Sequence, residues 1–256
     1  MALNVNLELT DLCNIKCRMC GQAYTNKVHS NPESFMKWDV WVALLDGLRD
    51  YGEEIHLCPH WLGEPTLHPR FDEFVRYAFE RNAGNRLFRH FKLHTNGVLL
   101  DDRRIDTLLD CANRADAAPD TFRFLHFSVD AFTPAVYRQV KRFDHGARVF
   151  RNLGRFVERR MERGLRYPYV TIAFIVMPEN AHEAGWFLDY WRARFGRLGI
   201  DLVVSYDWPQ EVADTLYFRR LHQEDQATAD RLHREVLERL RILAPGEPGA
   251  FISESF

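Results

Sequence analysis

Short apolar runs alternate along the chain with longer stretches in which apolar residues recur every three or four positions. The runs at 3–9, 54–61, 91–95, 121–129, 169–176 and 200–206 have strand length and are bounded by turn-forming residues. Between them, Trp38, Trp41, Val42, Leu45 and Leu48 share one helical face ahead of a stop at Gly52. Phe71, Phe74, Val75, Ala78 and Phe79 do the same ahead of Gly84. Further helices are predicted around 103–111, 147–163 and 183–195, each after a strand. Strand-then-helix repetition predicts parallel strands joined by right-handed crossovers, because parallel neighbours need long connections. Six such units predict an α/β fold, a partial (β/α)6 TIM-like barrel over residues 1–208. The last stretch, 227–243, sets Leu232, Val236, Leu237, Leu240 and Leu243 on one face, and predicts a closing helix in a C-terminal helical extension, 209–256, packed on the barrel.

Composition narrows the function classes. With 256 residues and 46% hydrophobic content, the chain can bury a sizeable core, which excludes a disordered polypeptide and a disulfide-stapled miniprotein. The formal net charge of −2 gives no general attraction to nucleic acid or an anionic membrane. The paired arginines Arg103–Arg104, Arg159–Arg160 and Arg219–Arg220 are separated by acidic residues and read as solvated helix faces. The opening residues lack the basic and apolar regions of a signal peptide, and no apolar run is long enough to span a bilayer, so a cytoplasmic protein is expected. Only twelve residues precede the first cysteine, so a leader-peptide-binding module fused at that end is not expected.

Parallel barrels carry their chemistry on the loops after the strands. The loop after the first strand reads Cys13-Asn-Ile-Lys-Cys17-Arg-Met-Cys20, three of the chain's five cysteines within eight residues. Such spacing gathers one metal centre better than it makes separate disulfides. Three thiolates leave an iron–sulfur cluster one protein ligand short of the usual four. The alternative is a structural Cys3His zinc site completed by His60 or His94. Of the other two cysteines, Cys111 reads as a small buried hydrophobe, and Cys58 shares a strand face with His56 and His60.

At this point the sequence resembles the radical SAM superfamily, whose hallmark is a CxxxCxΦC loop after the first strand of a partial barrel. Further strand-end motifs carry the likeness: Gly63-Glu64-Pro65 after the second strand, Thr95-Asn96-Gly97 after the third, Ser128-Val129-Asp130-Ala131 after the fourth and Asn180 beyond the fifth. The resemblance implies a [4Fe–4S] cluster on Cys13, Cys17 and Cys20, with S-adenosylmethionine completing the fourth iron. It places Met19 at the Φ position near adenine. Gly63 and Glu64 meet the methionine end, Asn96, Ser128 and Asp130 the carboxylate and ribose, and Asn180 the adenine side. With no cysteine after Cys111, a single cluster is expected, without the cysteine-rich C-terminal extension of SPASM/twitch-type relatives.

In that family, an external one-electron reductant such as flavodoxin or ferredoxin drives reductive cleavage to methionine and a 5′-deoxyadenosyl radical, which takes a substrate hydrogen. The candidate substrate pocket comprises His60, His94, His126, Tyr206, Asp207 and Trp208. The expected reaction is epimerisation or dehydrogenation of a small polar metabolite, a sugar or aminocyclitol-type natural product, with Cys58 as candidate hydrogen-atom donor. The alternatives are modification of a peptide or activation of a partner protein, and a non-catalytic zinc or iron–sulfur binding protein.

Overall fold

The computed structural model describes residues 2–21, 32–52, 54–208, 211–223 and 225–244. One parallel sheet runs through it, made of β1 (Leu3–Asn6), β2 (Ile55–Cys58), β3 (His90–Thr95), β4 (Phe122–Ser128), β5 (Tyr169–Val176), β6 (Val203–Ser205) and β7 (Thr215–Arg220), in the order β1-β2-β3-β4-β5-β7-β6. The helices are α1 (Trp38–Leu48), α2 (Phe71–Arg81), α3 (Asp102–Ala112), α4 (Pro134–Lys141), α5 (Gly146–Glu162), α6 (Ala184–Gly196) and α7 (Gln226–Arg239). No helix among the described residues is long and apolar enough to cross a membrane.

Two-residue periodicity divides each strand between two environments. Leu57, Phe91, Leu93, Leu125, Phe127, Ile172, Phe174, Leu216 and Phe218 belong to one continuous core with the helix residues Trp41, Phe74, Leu108, Phe156 and Trp191. The other parity is polar over much of its length. Pairing of His56 with His90, His94 with His126, and His126 with Thr171 fixes it as a single inner face.

The sheet has seven strands where the hydrophobic pattern predicts six. The run at 200–206 shortens to the edge strand β6, and the place beside β5 is taken by β7, which pairs from Thr171–Thr215 to Val176–Arg220. The strand therefore lies beyond residue 208, within the segment expected to be a purely helical extension. A buried ion pair accounts for its position. Arg160 of α5 donates through both Nη atoms to Asp214 at 2.7 Å and to Pro168 O, while Asp214 accepts from Val170 N, locking the start of β7 to the start of β5. Arg160 is thus buried rather than on a solvated face, and Arg219 and Arg220 stand on a strand rather than a helix. The amphipathic closing helix is present as α7, against β5 and β7.

The connection from β6 to β7, residues 206–214, is short for a parallel crossover, and its described residues form no helix. Its described residues return along the inner face. Trp208 lies 6.5 Å from His94 between ring centroids, and Glu211 pairs with Lys92 of β3 at 2.8 Å.

Candidate active site

The cysteine loop leaves β1 and is held from three sides by polar contacts of its own chain. Glu64 N donates to Leu12 O at 2.8 Å, Arg18 N to Val140 O at 2.8 Å, and Asn96 Nδ2 to Asn14 Oδ1 at 2.7 Å. Arg18 also pairs with Glu179 beyond β5 at 3.1 Å. Gly63 is required by this packing, since a Cβ there would lie 1.9 Å from the carbonyl oxygen of Thr10 and 2.8 Å from that of Leu12. Its neighbour Glu8, absent from the sequence reading, accepts from the amides of Leu62 and Gly63 and fixes the same loop from β1's side.

Cys13, Cys17, Met19 and Cys20 line one cavity of about 380 Å3 together with Gly63, Glu64, Asn96, Ser128, His60, His94 and His126. Burial pushes the Cys13 thiol up to about 12, with the Glu64 charge adding to it. Burial likewise raises Cys17, opposed by the Lys141 ammonium. A metal would have to displace these protons, as coordinating ions do. Asn96 Nδ2 points at Cys13 Sγ from 3.8 Å. Three thiols on one pinned loop facing a cavity fit a cluster that takes one cysteine per iron. Among the described residues, no group of three or more His, Cys, Asp or Glu side chains, the three cysteines included, is gathered closely enough to hold a single ion.

Glu64 is buried and heavily engaged. Its Oε1 accepts from Thr66 N, Thr66 Oγ1 and Thr95 Oγ1, and its Oε2 from Asn96 N at 2.7 Å. Burial raises its pKa and these donors oppose the rise. Three donors meet one oxygen and only one the other, so Oε2 keeps acceptor capacity for a ligand. Asn96 also closes its own turn, accepting from Val98 N at 3.0 Å.

Asp130 sits at φ +62°, in the left-handed region, with its carboxylate fully enclosed. It accepts from Ser128 Oγ, Ile175 N and the ammonium of Lys141, which also reaches Ser128 Oγ at 3.0 Å. Burial works against the Lys141 charge, but the Asp130 carboxylate, with Cys17 adding to it when ionised, outweighs it and raises its pKa. Lys141 lines the cavity at the end of α4, a helix the hydrophobic pattern does not predict. The signal available in the sequence was Thr133-Pro134, a cap followed by proline at the first helical position.

Other predicted positions fall outside the cavity wall. Asn180 spends its amide on backbone, donating to Asp130 O and Ile175 O and accepting from Met177 N, all at 2.8 Å. Cys58 is buried one layer below His60, where burial pushes its thiol up to about 12. Tyr206, Asp207 and Trp208 lie on the return to β7, and of these Trp208 approaches His94 and Tyr217. Arg219, Arg220 and His222, by contrast, line the cavity from the end of β7.

Parallel strands whose C-terminal loops gather three thiols, an enclosed carboxylate and a lysine–aspartate pair around one cavity define a barrel enzyme built on a cysteine-rich loop. The chain belongs to the radical SAM superfamily, whose model matches residues 7–190. Enzymes of this family use a [4Fe–4S] cluster and S-adenosylmethionine. The chain is 26% identical over 217 residues to the tungsten-containing aldehyde ferredoxin oxidoreductase cofactor-modifying protein of Pyrococcus furiosus, covering 82% of this chain and 54% of that protein. It is 31% identical over 104 residues to an S-adenosylmethionine-dependent nucleotide dehydratase of Selenomonas ruminantium, covering 39% of this chain and 32% of that protein. Thus it spans about half the length of the first and a third of the second. The fold is shared with native anSMEcpe with bound AdoMet (TM-score 0.59, 14% identity, 94% of this chain and 60% of that one). It is also shared with HydG, a maturase of the [FeFe]-hydrogenase (TM-score 0.55, 11% identity, 96% and 50%).

Proposed function

We propose that this chain holds a [4Fe–4S] cluster on Cys13, Cys17 and Cys20, binds S-adenosylmethionine above it, and removes a hydrogen atom from a small polar metabolite seated in the barrel. The observation that carries this reading is the continuity of one cavity from the three thiols to His60, His94 and His126. When bound and reduced by an external flavodoxin or ferredoxin, the cluster and its ligand supply a 5′-deoxyadenosyl radical.

The protein's own residues have definable tasks. Glu64 Oε2 takes the ligand's amino group, since a cation in an enclosed site needs a charged acceptor. Ser128 and Lys141, fixed by Asp130, face the ligand's carboxylate and ribose, and Met19 covers the adenine side. Asn180 acts through Asp130 and the end of β5, as an organiser of that wall. The imidazole lining suits a sugar or aminocyclitol-type substrate, for epimerisation or dehydrogenation, because each ring offers a donor and an acceptor. The named activities of the two curated relatives, on a cofactor and on a nucleotide, are in keeping with a small-molecule substrate.

Anaerobic reconstitution tests the reading. The protein should bind about four irons and four sulfides per chain, and should release 5′-deoxyadenosine when given dithionite and S-adenosylmethionine. Cys17→Ala should lose both. A Cys17→Ala protein with full iron content and undiminished cleavage would falsify the assignment.

A further inference from the structure

The inner face of the barrel carries a stack of three imidazoles. His94 on β3 lies between His60, 5.1 Å away with 12° between the planes, and His126 on β4, 4.6 Å away at 20°. Both faces of the His94 ring are therefore covered, and what it presents to the cavity is its edge, with ring nitrogens that give or accept hydrogen bonds. His94 precedes Asn96 by two residues and His126 precedes Ser128 by two, so the stack lies one layer, roughly 7 Å, below the groups assigned to S-adenosylmethionine. His126 is 7% exposed and its Nδ1 has no hydrogen-bond partner, although a buried polar atom ordinarily has one.

The surrounding charge gives this layer a sign. The charged side chains that act on His94 are Arg219 and Lys92, both cationic; on His126, Arg219 and Lys141 act in the same sense and the Asp130 carboxylate opposes them. Lys92 is matched by Glu211, and Lys141 by Asp130. Among the described residues the cavity lining includes one carboxylate, Glu64, and four protein donors already meet it. A planar guanidinium beside three rings that can each turn an N–H inward is a donor array for oxygen anions.

We propose that His60, His94 and His126, with Arg219 beside them, bind an anionic oxygen group of the substrate, a phosphate ester or a carboxylate. This layer then anchors the substrate from below while the hydrogen to be removed faces the ligand above. The proposal rests on the reading of the cavity as a substrate site, and it narrows the substrate from a polar metabolite to one bearing an acid group at the end remote from the reacting carbon.

The test uses the full chain, anaerobically reconstituted and saturated with S-adenosylmethionine so that the carboxylate of that ligand cannot compete. Methyl phosphate, acetate and myo-inositol are titrated separately by calorimetry. One of the anions should bind saturably at one per chain. That binding should weaken at least tenfold in His94→Phe and His126→Phe, and less than threefold in His126→Gln, with iron content and S-adenosylmethionine affinity retained. Methyl phosphate alone binding identifies a phosphate ester, and acetate alone a carboxylate. Saturable binding of neither anion overturns the proposal. So does equal binding by wild type and both phenylalanine variants, or histidine-dependent binding of inositol without either anion. Should the variants lose iron, the wild-type enzyme still decides: carbethoxylation of the three histidines, mapped by mass spectrometry, should slow severalfold under the saturating anion, and an unchanged rate overturns the idea. Release of 5′-deoxyadenosine is scored separately, so a failed anion site with intact cleavage sinks this inference alone.

Discussion

The rim of the barrel and the layer beneath it are built on opposite principles. At the rim the ionisable groups are paired: Asp130 with Lys141, Ser128 and Ile175 N, and Glu64 with two threonines and the amide of Asn96. One layer down, His60, His94 and His126 are kept neutral by burial, and His126 keeps an unmet nitrogen. A paired group is already committed to a position and can orient a ligand that is the same in every turnover. An unmet group costs stability in the empty protein, a cost that a ligand can relieve. The contrast separates a cofactor platform from a place where substrate identity is read.

The largest effect should come from breaking the rim's ion pair. Lys141→Met leaves Asp130 charged and enclosed, and should cost about 3–5 kcal/mol of unfolding free energy, measured by urea denaturation under anaerobic conditions. A loss below 1 kcal/mol would show that water reaches this pair and that the rim is not the rigid platform described.

The histidine layer should reveal itself through pH. In an unfolded chain each imidazole titrates near 6.5, whereas burial lowers His60 to about 4, and burial with Arg219 lowers His126 to about 3. Between those values the unfolded state binds more protons, so stability rises with pH. The contribution is complete above about 6.5 and disappears as pH falls toward 3–4, on the order of a few kcal/mol. A His60→Phe, His126→Phe double variant should flatten this slope between pH 4 and 6.5. An unaltered slope would place the acid sensitivity elsewhere.

Glu64→Ala sharpens the distinction further, because this residue both braces the rim and offers an acceptor. S-adenosylmethionine affinity should fall by about 1.5–3 kcal/mol, the range for a hydrogen bond to a charged group, with iron content preserved. Calorimetry showing wild-type affinity would reduce Glu64 to a brace for Thr66, Thr95 and Asn96.

Cys58→Ala should have the smallest effect. The thiol lies below the histidine layer and outside the cavity wall, so its removal leaves a small void costing about 1 kcal/mol, with 5′-deoxyadenosine still formed. If the variant consumed substrate yet accumulated an oxidised or dead-end product, Cys58 would be the hydrogen-atom donor after all.

Local pattern determined much of this protein. Alternating strands and amphipathic helices specified a parallel α/β barrel, since both periods are written in neighbouring residues, and the span of β5 is legible to the residue. The Cys13–Cys20 loop and the strand-end tripeptides were likewise contiguous, so the family could be read from short segments. What the chain could not display locally is what distant residues do to one another. Arg159–Arg160 looks like a solvated pair until Asp214, far along the chain, buries one member and draws Thr215–Arg220 into the sheet between β5 and β6. Lys141 is an ordinary helix-end lysine until the left-handed turn at Asp130 brings a carboxylate against it. Tertiary structure alone decided which three histidines stack, because register between strands is set by hydrogen bonds and packing across the whole sheet.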